Sequence, residues 1–399
     1  MDKKKKKLMW TILIVGLIQM PVLALTPGIN LIATTAFADR SLSAVQQALA
    51  VSALSQPVAA FLAAMIINRR IVSKKAVIMF GLLLLSSTSV LAILFHSKFW
   101  HIVMLSTFLG ISTGCFISNM FALIFDFFDP GEKQVIMGTQ SSFINIGGIM
   151  MSLLGGLLAT FFWYGGYLML FVGIPGAVLV YFAVPKYKVP EADPQKGKSR
   201  ARLNPKIYYY LVIEMLFMMA YSACSSNIST HIAGLGNSAT AGIAVACTMS
   251  GGVVSGLIFG KLSEKTGDYS LTCGFGCMFA GFMMLSIFTG SLMLTFAAVF
   301  IVGLALSIIL PRCILMVSNH ATDPATSATA TALATIVAPS AGSFISPLII
   351  TNITTAIYGA STAARYRFVG FFVLALAASI AVVTTVEKKK NNTYKEANI

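Results

Sequence analysis

Twelve apolar stretches, each long enough to cross a bilayer, fall into two sets of six on either side of one long charged segment, Lys186 to Lys206. A hydrocarbon core about 30 Å thick takes roughly 20 apolar helical residues to cross. Reading apolar runs against breakers places spans near 8–34, 44–67, 76–96, 100–127, 136–160, 165–185, 207–232, 238–260, 270–289, 292–318, 325–356 and 364–386. Hydrophobic residues make up 57% of the chain and charged ones only 10%, so no polar stretch is long enough to form a separate soluble domain. The expected fold class is an all-α membrane protein of twelve transmembrane helices. It comprises an N-terminal half (1–185), a central linker (186–206), a C-terminal half (207–387) and a tail (388–399).

The net charge of +15 would suggest nucleic acid in a soluble protein, but its placement here points elsewhere. Of the 28 Lys and Arg residues, 23 fall at the termini and in alternate loops, including Lys3 to Lys7, Arg69 to Lys75, Lys133, the central segment, Lys261 and Lys265. Only Arg40, Lys98, Arg365 and Arg367 fall on the other side, and Arg312 lies within a span. Short loops rich in Lys and Arg stay in the cytoplasm. Both termini are therefore expected inside a plasma (cell inner) membrane, with the lipid bilayer rather than nucleic acid as partner. The Lys-rich start precedes a run too long for a signal peptide and reads as a retained first helix. The six cysteines read as small packing residues, with no disulfide framework or metal site.

Shifting the chain against itself by 193 to 194 residues brings features of the two halves into register. Ala50-Val51 meets Ala244-Val245, Ser73-Lys74 meets Gly267-Asp268, Gly110 meets Gly303, and Asp129-Pro130 meets Asp323-Pro324. Six helices preserve orientation on duplication, so the halves read as parallel repeats about an axis along the membrane normal.

Against this background the loop after span 8, Gly260-Lys-Leu-Ser-Glu264-Lys265-Thr-Gly267-Asp268, resembles the G-x-x-x-D/E-R/K-x-G signature of the major facilitator superfamily of secondary transporters. The counterpart after span 2 departs from it, with Ile66, Arg70 and Ser73 at the glycine, acid and second-glycine positions. The end of span 4, from Ala122 through Asp126 and Asp129-Pro130-Gly131 to Met137-Gly138, is also similar to the family. Span 5 carries Gly147-Gly148, Ser152 and Gly155-Gly156, small residues that let helices pack closely. The resemblance implies two pseudo-symmetric six-helix halves with a substrate site between them. It also implies a gating role for Gly260, Glu264, Lys265, Gly267 and Asp126, and a central cavity lined by helices 1, 4, 7 and 10.

Ionisable groups inside a span are costly and are functional candidates by default. Glu214 in span 7 and Arg312 in span 10 are expected at similar depth, roughly 12 Å into the membrane at 1.5 Å per residue, where a contact between them is geometrically reasonable. Three readings stand together: a structural ion bridge, Arg312 as a clamp for an anionic substrate group, and Glu214 as a proton carrier. Asn119 is the repeat counterpart of Arg312. Gln19 in span 1, followed by Pro21 and Pro27, and Asn227 in span 7 complete the substrate and coupling candidates. Gln140 and Asn145 belong to span 5, which the resemblance assigns to the lateral interface.

There is no phosphate-cradling G-x-x-x-x-G-K-[ST] loop, no clustered histidine among His96, His101, His231 and His320, and no Ser/His/Asp set. The chain is therefore expected to be a monomeric secondary transporter and not an enzyme, without cofactor or metal. Its expected cargo is a small organic solute, with a carboxylate as one candidate and protons as candidate coupling ion. A broad-specificity drug/proton antiporter is the nearest rival, and a non-transporting membrane sensor or partner subunit is the alternative of another class.

Overall fold

The computed structural model describes residues 3–185, 204–321, 330 and 332–396. Its helices include twelve long and apolar enough to cross a membrane: α1 Lys3–Ala36, α2 Leu42–Ile67, α3 Lys74–Leu94, α4 Phe99–Phe127, α5 Thr139–Ala159, α6 Gly165–Ala183, α7 Pro205–Ile232, α8 Ser238–Ile258, α9 Ser270–Ile287, α10 Leu292–His320, α11 Leu333–Tyr358 and α12 Thr362–Lys389. Every span expected from the sequence is present. The pairing of Asp129-Pro130 with Asp323-Pro324 rests partly on residues 323 and 324, which lie outside the described residues.

Local chemistry sets where these helices begin. Ser41, Ser73 and Ser291 each accept a hydrogen bond at Oγ from the backbone N–H three residues on, and Asn204 accepts at Oδ1 from the Lys206 N–H. Side-chain oxygens at this position satisfy amides that the first helical turn leaves orphaned. Phe61, Phe182, Leu257 and Met293 lie on the outer surface. In a bilayer such surfaces cost nothing, because lipid tails are as apolar as the side chains.

Each half has its own apolar core. One runs from Leu8 to Val184 and is built around Ile78, Leu82, Phe116 and Leu123; the other runs from Ile213 to Ile380 around Phe217, Phe275, Phe282 and Val302. The repeat is visible at single residues. Gly110 of α4 packs so closely on α2 that a Cβ there would overlap the Ser52 carbonyl, and Gly303 of α10 packs the same way on the Thr248 carbonyl of α8. A larger residue at either position would wedge apart two helices of its half.

The halves meet chiefly where α5 packs on α8 and α2 on α11. The glycines of α5 divide this work between two faces. Gly148 and Gly156 face α8, at Met249 and Gly242, whereas Gly147 and Gly155 admit the Leu17 and Ala24 carbonyls of α1.

Candidate functional site

The site begins with the interruption of α1. The α-helix that starts at Lys3 stops at Gly16, and the chain continues through short 3-10 turns at Pro21–Ala24 and Thr26–Gly28 before a last helical segment. Proline has no N–H to donate, clashes with the carbonyl four residues back and pushes the residue before it out of the helical region. Met20, just before Pro21, has φ −115° and ψ 52° accordingly. The interruption places Gln19 and Met20 on a cavity instead of in a regular helix wall. Discontinuous helices of this kind are tolerated at membrane depth where they line a cavity, and the α5 glycines supply the room behind this one.

The cavity has a volume of about 360 Å³ and lies between the halves. From the first half Gln19, Met20, Gln46, Gln56 and Thr113 line it; from the second, Met218, Tyr221, Ser222, Ser225, Met249, Leu310 and Ser343. Among its described lining residues there is no Asp, Glu, Lys, Arg or His. Gln19 is 6% exposed, and its Nε2 has no hydrogen-bond partner among the described residues.

One end of the cavity is closed by a polar network. Gln46 of α2 donates from Nε2 to Asn227 Oδ1 and to the Ser226 carbonyl of α7, both at 2.9 Å, and its Oε1 accepts from Thr351 Oγ1 of α11 at 2.8 Å. Arg365 of α12 is 1% exposed and donates from Nη1 to the same Asn227 Oδ1 at 2.6 Å, from Nε to Thr354 Oγ1 at 3.0 Å and from Nη2 to Thr355 Oγ1 at 2.9 Å. Nearby, the Asn30 N–H of α1 donates to Ser229 Oγ of α7 at 3.2 Å. Four helices of both halves are thus joined by neutral oxygens around one buried guanidinium. The basic termini lie at the other end of the molecule, where three ion pairs among the described residues each stay within a half. Lys5 binds Asp129 at 3.1 Å, Lys74 binds Asp126 at 2.5 Å, and Lys206 binds Glu387 at 2.8 Å.

The sequence-derived candidates separate against this geometry. Gln19 lines the cavity. Asn227 is buried in the closing network, with Nδ2 returned to the Ala223 carbonyl at 2.8 Å. Asn119 is buried in α4 and donates to the Cys115 carbonyl at 2.8 Å; it does not line the cavity. Glu214 and Arg312 are both buried on packed helices, 0% and 8% exposed, outside the cavity lining. The reasonable contact between them is not formed: neither Glu214 oxygen is hydrogen-bonded to any described residue, Arg312 included. Equal depth on neighbouring helices leaves the direction around each axis free, and depth was all the sequence supplied.

Of the gating candidates, Gly267 takes φ +53°, a left-handed turn open to glycine at no steric cost. Its repeat counterpart Ser73 instead caps α3, and the left-handed residue in that half is Arg70, at φ +59°. Lys265 is exposed, Asp126 is held by Lys74 within its own half, and the surroundings of Gly260 and Glu264 lie outside what is described. Arg365 and Gln46 were missed. Arg365 reads as a loop charge at the start of α12, and only its position beside Asn227, 138 residues away, reveals it as buried.

Comparison with solved structures finds the same architecture. A mutant of the nucleoside transporter NupG superposes with a TM-score of 0.73 at 13% identity, covering 95% of this chain and 99% of that one. A bacterial homologue of the human lysosomal transporter Spinster, in an inward-facing and unoccupied conformation, gives 0.71 at 15% identity and 96% of each chain. At such identities the likeness concerns the fold. No curated protein sequence matches the chain. The Major Facilitator Superfamily family model matches residues 11–347, most of the chain, and the protein belongs to that superfamily of transporters.

Proposed function

We propose that the protein is a secondary active transporter of the cell membrane, with both termini cytoplasmic. It moves a small organic solute by alternating access, with Glu214 as the proton-coupling acid. The observation that carries this reading is a cavity lined from both halves and sealed at one end by the Gln46–Asn227–Arg365 network. The seal is at the end away from the basic termini, and the described ion pairs at the basic end do not cross between halves. That asymmetry is what an inward-facing state requires, and the lysine distribution supports placing the basic end in the cytoplasm.

Glu214 supports coupling because it is a carboxyl group with no exposure and no hydrogen-bond partner among the described residues. A group so placed changes its interactions whenever its helix moves. Arg312 does not line the cavity in this state, so the reading does not rest on a carboxylate clamp there. The test is solute accumulation in proteoliposomes under an imposed pH gradient. Glu214→Gln is expected to abolish accumulation against a gradient while sparing solute exchange; full accumulation in that variant removes Glu214 from coupling.

A further inference from the structure

The cavity's chemistry narrows the class of solute, on the premise that the cavity is the transport site. We propose that the solute is uncharged, carries a hydrogen-bond acceptor for the Gln19 amide, and has an apolar face. Three observations converge on this. First, no Asp, Glu, Lys, Arg or His is among the described lining residues, so an ion would leave water with no counter-charge among them to meet it, at a cost one neutral hydrogen bond does not repay. The nearby guanidinium of Arg365 is separated from the cavity by Gln46 and Asn227, and its donors are committed to Asn227, Thr354 and Thr355.

Second, the polar groups present are unequal in what they have left to offer. Gln46 spends both ends of its amide on Ser226, Asn227 and Thr351. Ser222 donates to Ser343, and Thr113 and Ser225 donate to carbonyls of their own helices, which leaves hydroxyl lone pairs to accept from a ligand. Gln19 Nε2 is a buried donor without a partner among the described residues, placed at the interruption of α1 two residues before Pro21. An unmet buried donor is expensive to leave so. Rotation of the Gln19 amide toward the cavity it lines would let a carbonyl, hydroxyl or ring nitrogen of a solute satisfy it.

Third, Met20, Met218, Met249 and Leu310 give the remaining wall an adaptable apolar surface. At about 360 Å³ the space stands at the small end of ligand pockets, which run from roughly 300 to 1,000 Å³.

The test uses the full-length protein in proteoliposomes exposed to a defined mixture. Each uncharged amide or hydroxyl compound in it is matched by a carboxylate and an ammonium analogue of similar size, and the accumulated contents are read by mass spectrometry. The wild type is expected to enrich uncharged members alone. Gln19→Leu should lower that enrichment at least tenfold, Gln19→Asn should restore part of it, and Arg312→Gln should leave the selectivity between charge classes unchanged. Melting temperatures of both Gln19 variants check folding, and Gln19→Asn carries the test if the leucine variant does not fold. Enrichment of the carboxylate or ammonium members overturns the proposal while leaving the transporter reading intact. Enrichment of uncharged members that is indifferent to Gln19 overturns the recognition role. Enrichment of nothing overturns both this proposal and the transport reading it rests on.

Discussion

The two ends of the interface between the halves are built on opposite electrostatic plans. At the end away from the termini, Gln46, Asn227, Thr351, Thr354 and Arg365 tie α2 to α7, α11 and α12 through buried hydrogen bonds with no carboxylate among the partners. At the basic end the described ion pairs Lys5–Asp129, Lys74–Asp126 and Lys206–Glu387 each belong to one half. The difference teaches where the molecule is held shut. Buried neutral networks depend on geometry and dehydration, whereas exposed ion pairs are weak and screened by salt. On the proposed alternating-access mechanism the first would act as a latch that separates when the halves rock, whereas the described pairs of the second set do not bridge the halves.

The largest effect is expected from the guanidinium. Arg365→Ala removes three donors from largely buried neutral oxygens and is expected to cost about 3 kcal/mol or more, since each buried acceptor left unmet costs roughly 1–3 kcal/mol. Thermal unfolding in detergent checks this, and a loss below about 1 kcal/mol would mean the network does not bear on the fold. Gln46→Leu is the sharper probe of the latch, because Gln46 is the member contributed by the first half. Losing its three hydrogen bonds at about 1 kcal/mol each is expected to weaken the closed end by roughly 2–3 kcal/mol. A cysteine placed beside Asn30 should then react with a water-soluble maleimide from the far side at least tenfold faster, and an unchanged rate would show that the network does not hold the halves together. The smallest effect belongs to Lys206→Gln, which loses an exposed pair with Glu387 inside one half. It is expected to cost about 0.2–1 kcal/mol, to shrink with added salt, and to leave the same labelling rate unmoved.

How much of this was legible in the sequence follows from which interactions are local. The spans were, because apolar length is a property of contiguous residues. So was the repeat, and Gly110 and Gly303, aligned by offset alone, prove to make equivalent crossings on α2 and α8. The interruption of α1 was foreshadowed by Pro21 and Pro27 on either side of a turn, which singled out Gln19. The latch was not, because Gln46 and Asn227 come together across 181 residues and Arg365 sits where a sequence shows only a short basic loop. Arg365 is a charge that the loop census assigns to the side away from the termini while missing its burial. Glu214 and Arg312 show the complementary failure: depth along a helix follows from residue counting, but the azimuth that decides a contact depends on how each helix packs.

The central claim, that hydrogen bonds through Gln46 hold the end away from the basic termini closed, is tested most directly by a distance across that end. Spin labels at Ala38 and Tyr358, exposed positions on opposite halves, would report it in a background with the native cysteines replaced. The account predicts one short distance in the otherwise wild-type protein and a second, longer population once Gln46→Leu is added. Identical distributions in the two proteins would contradict it.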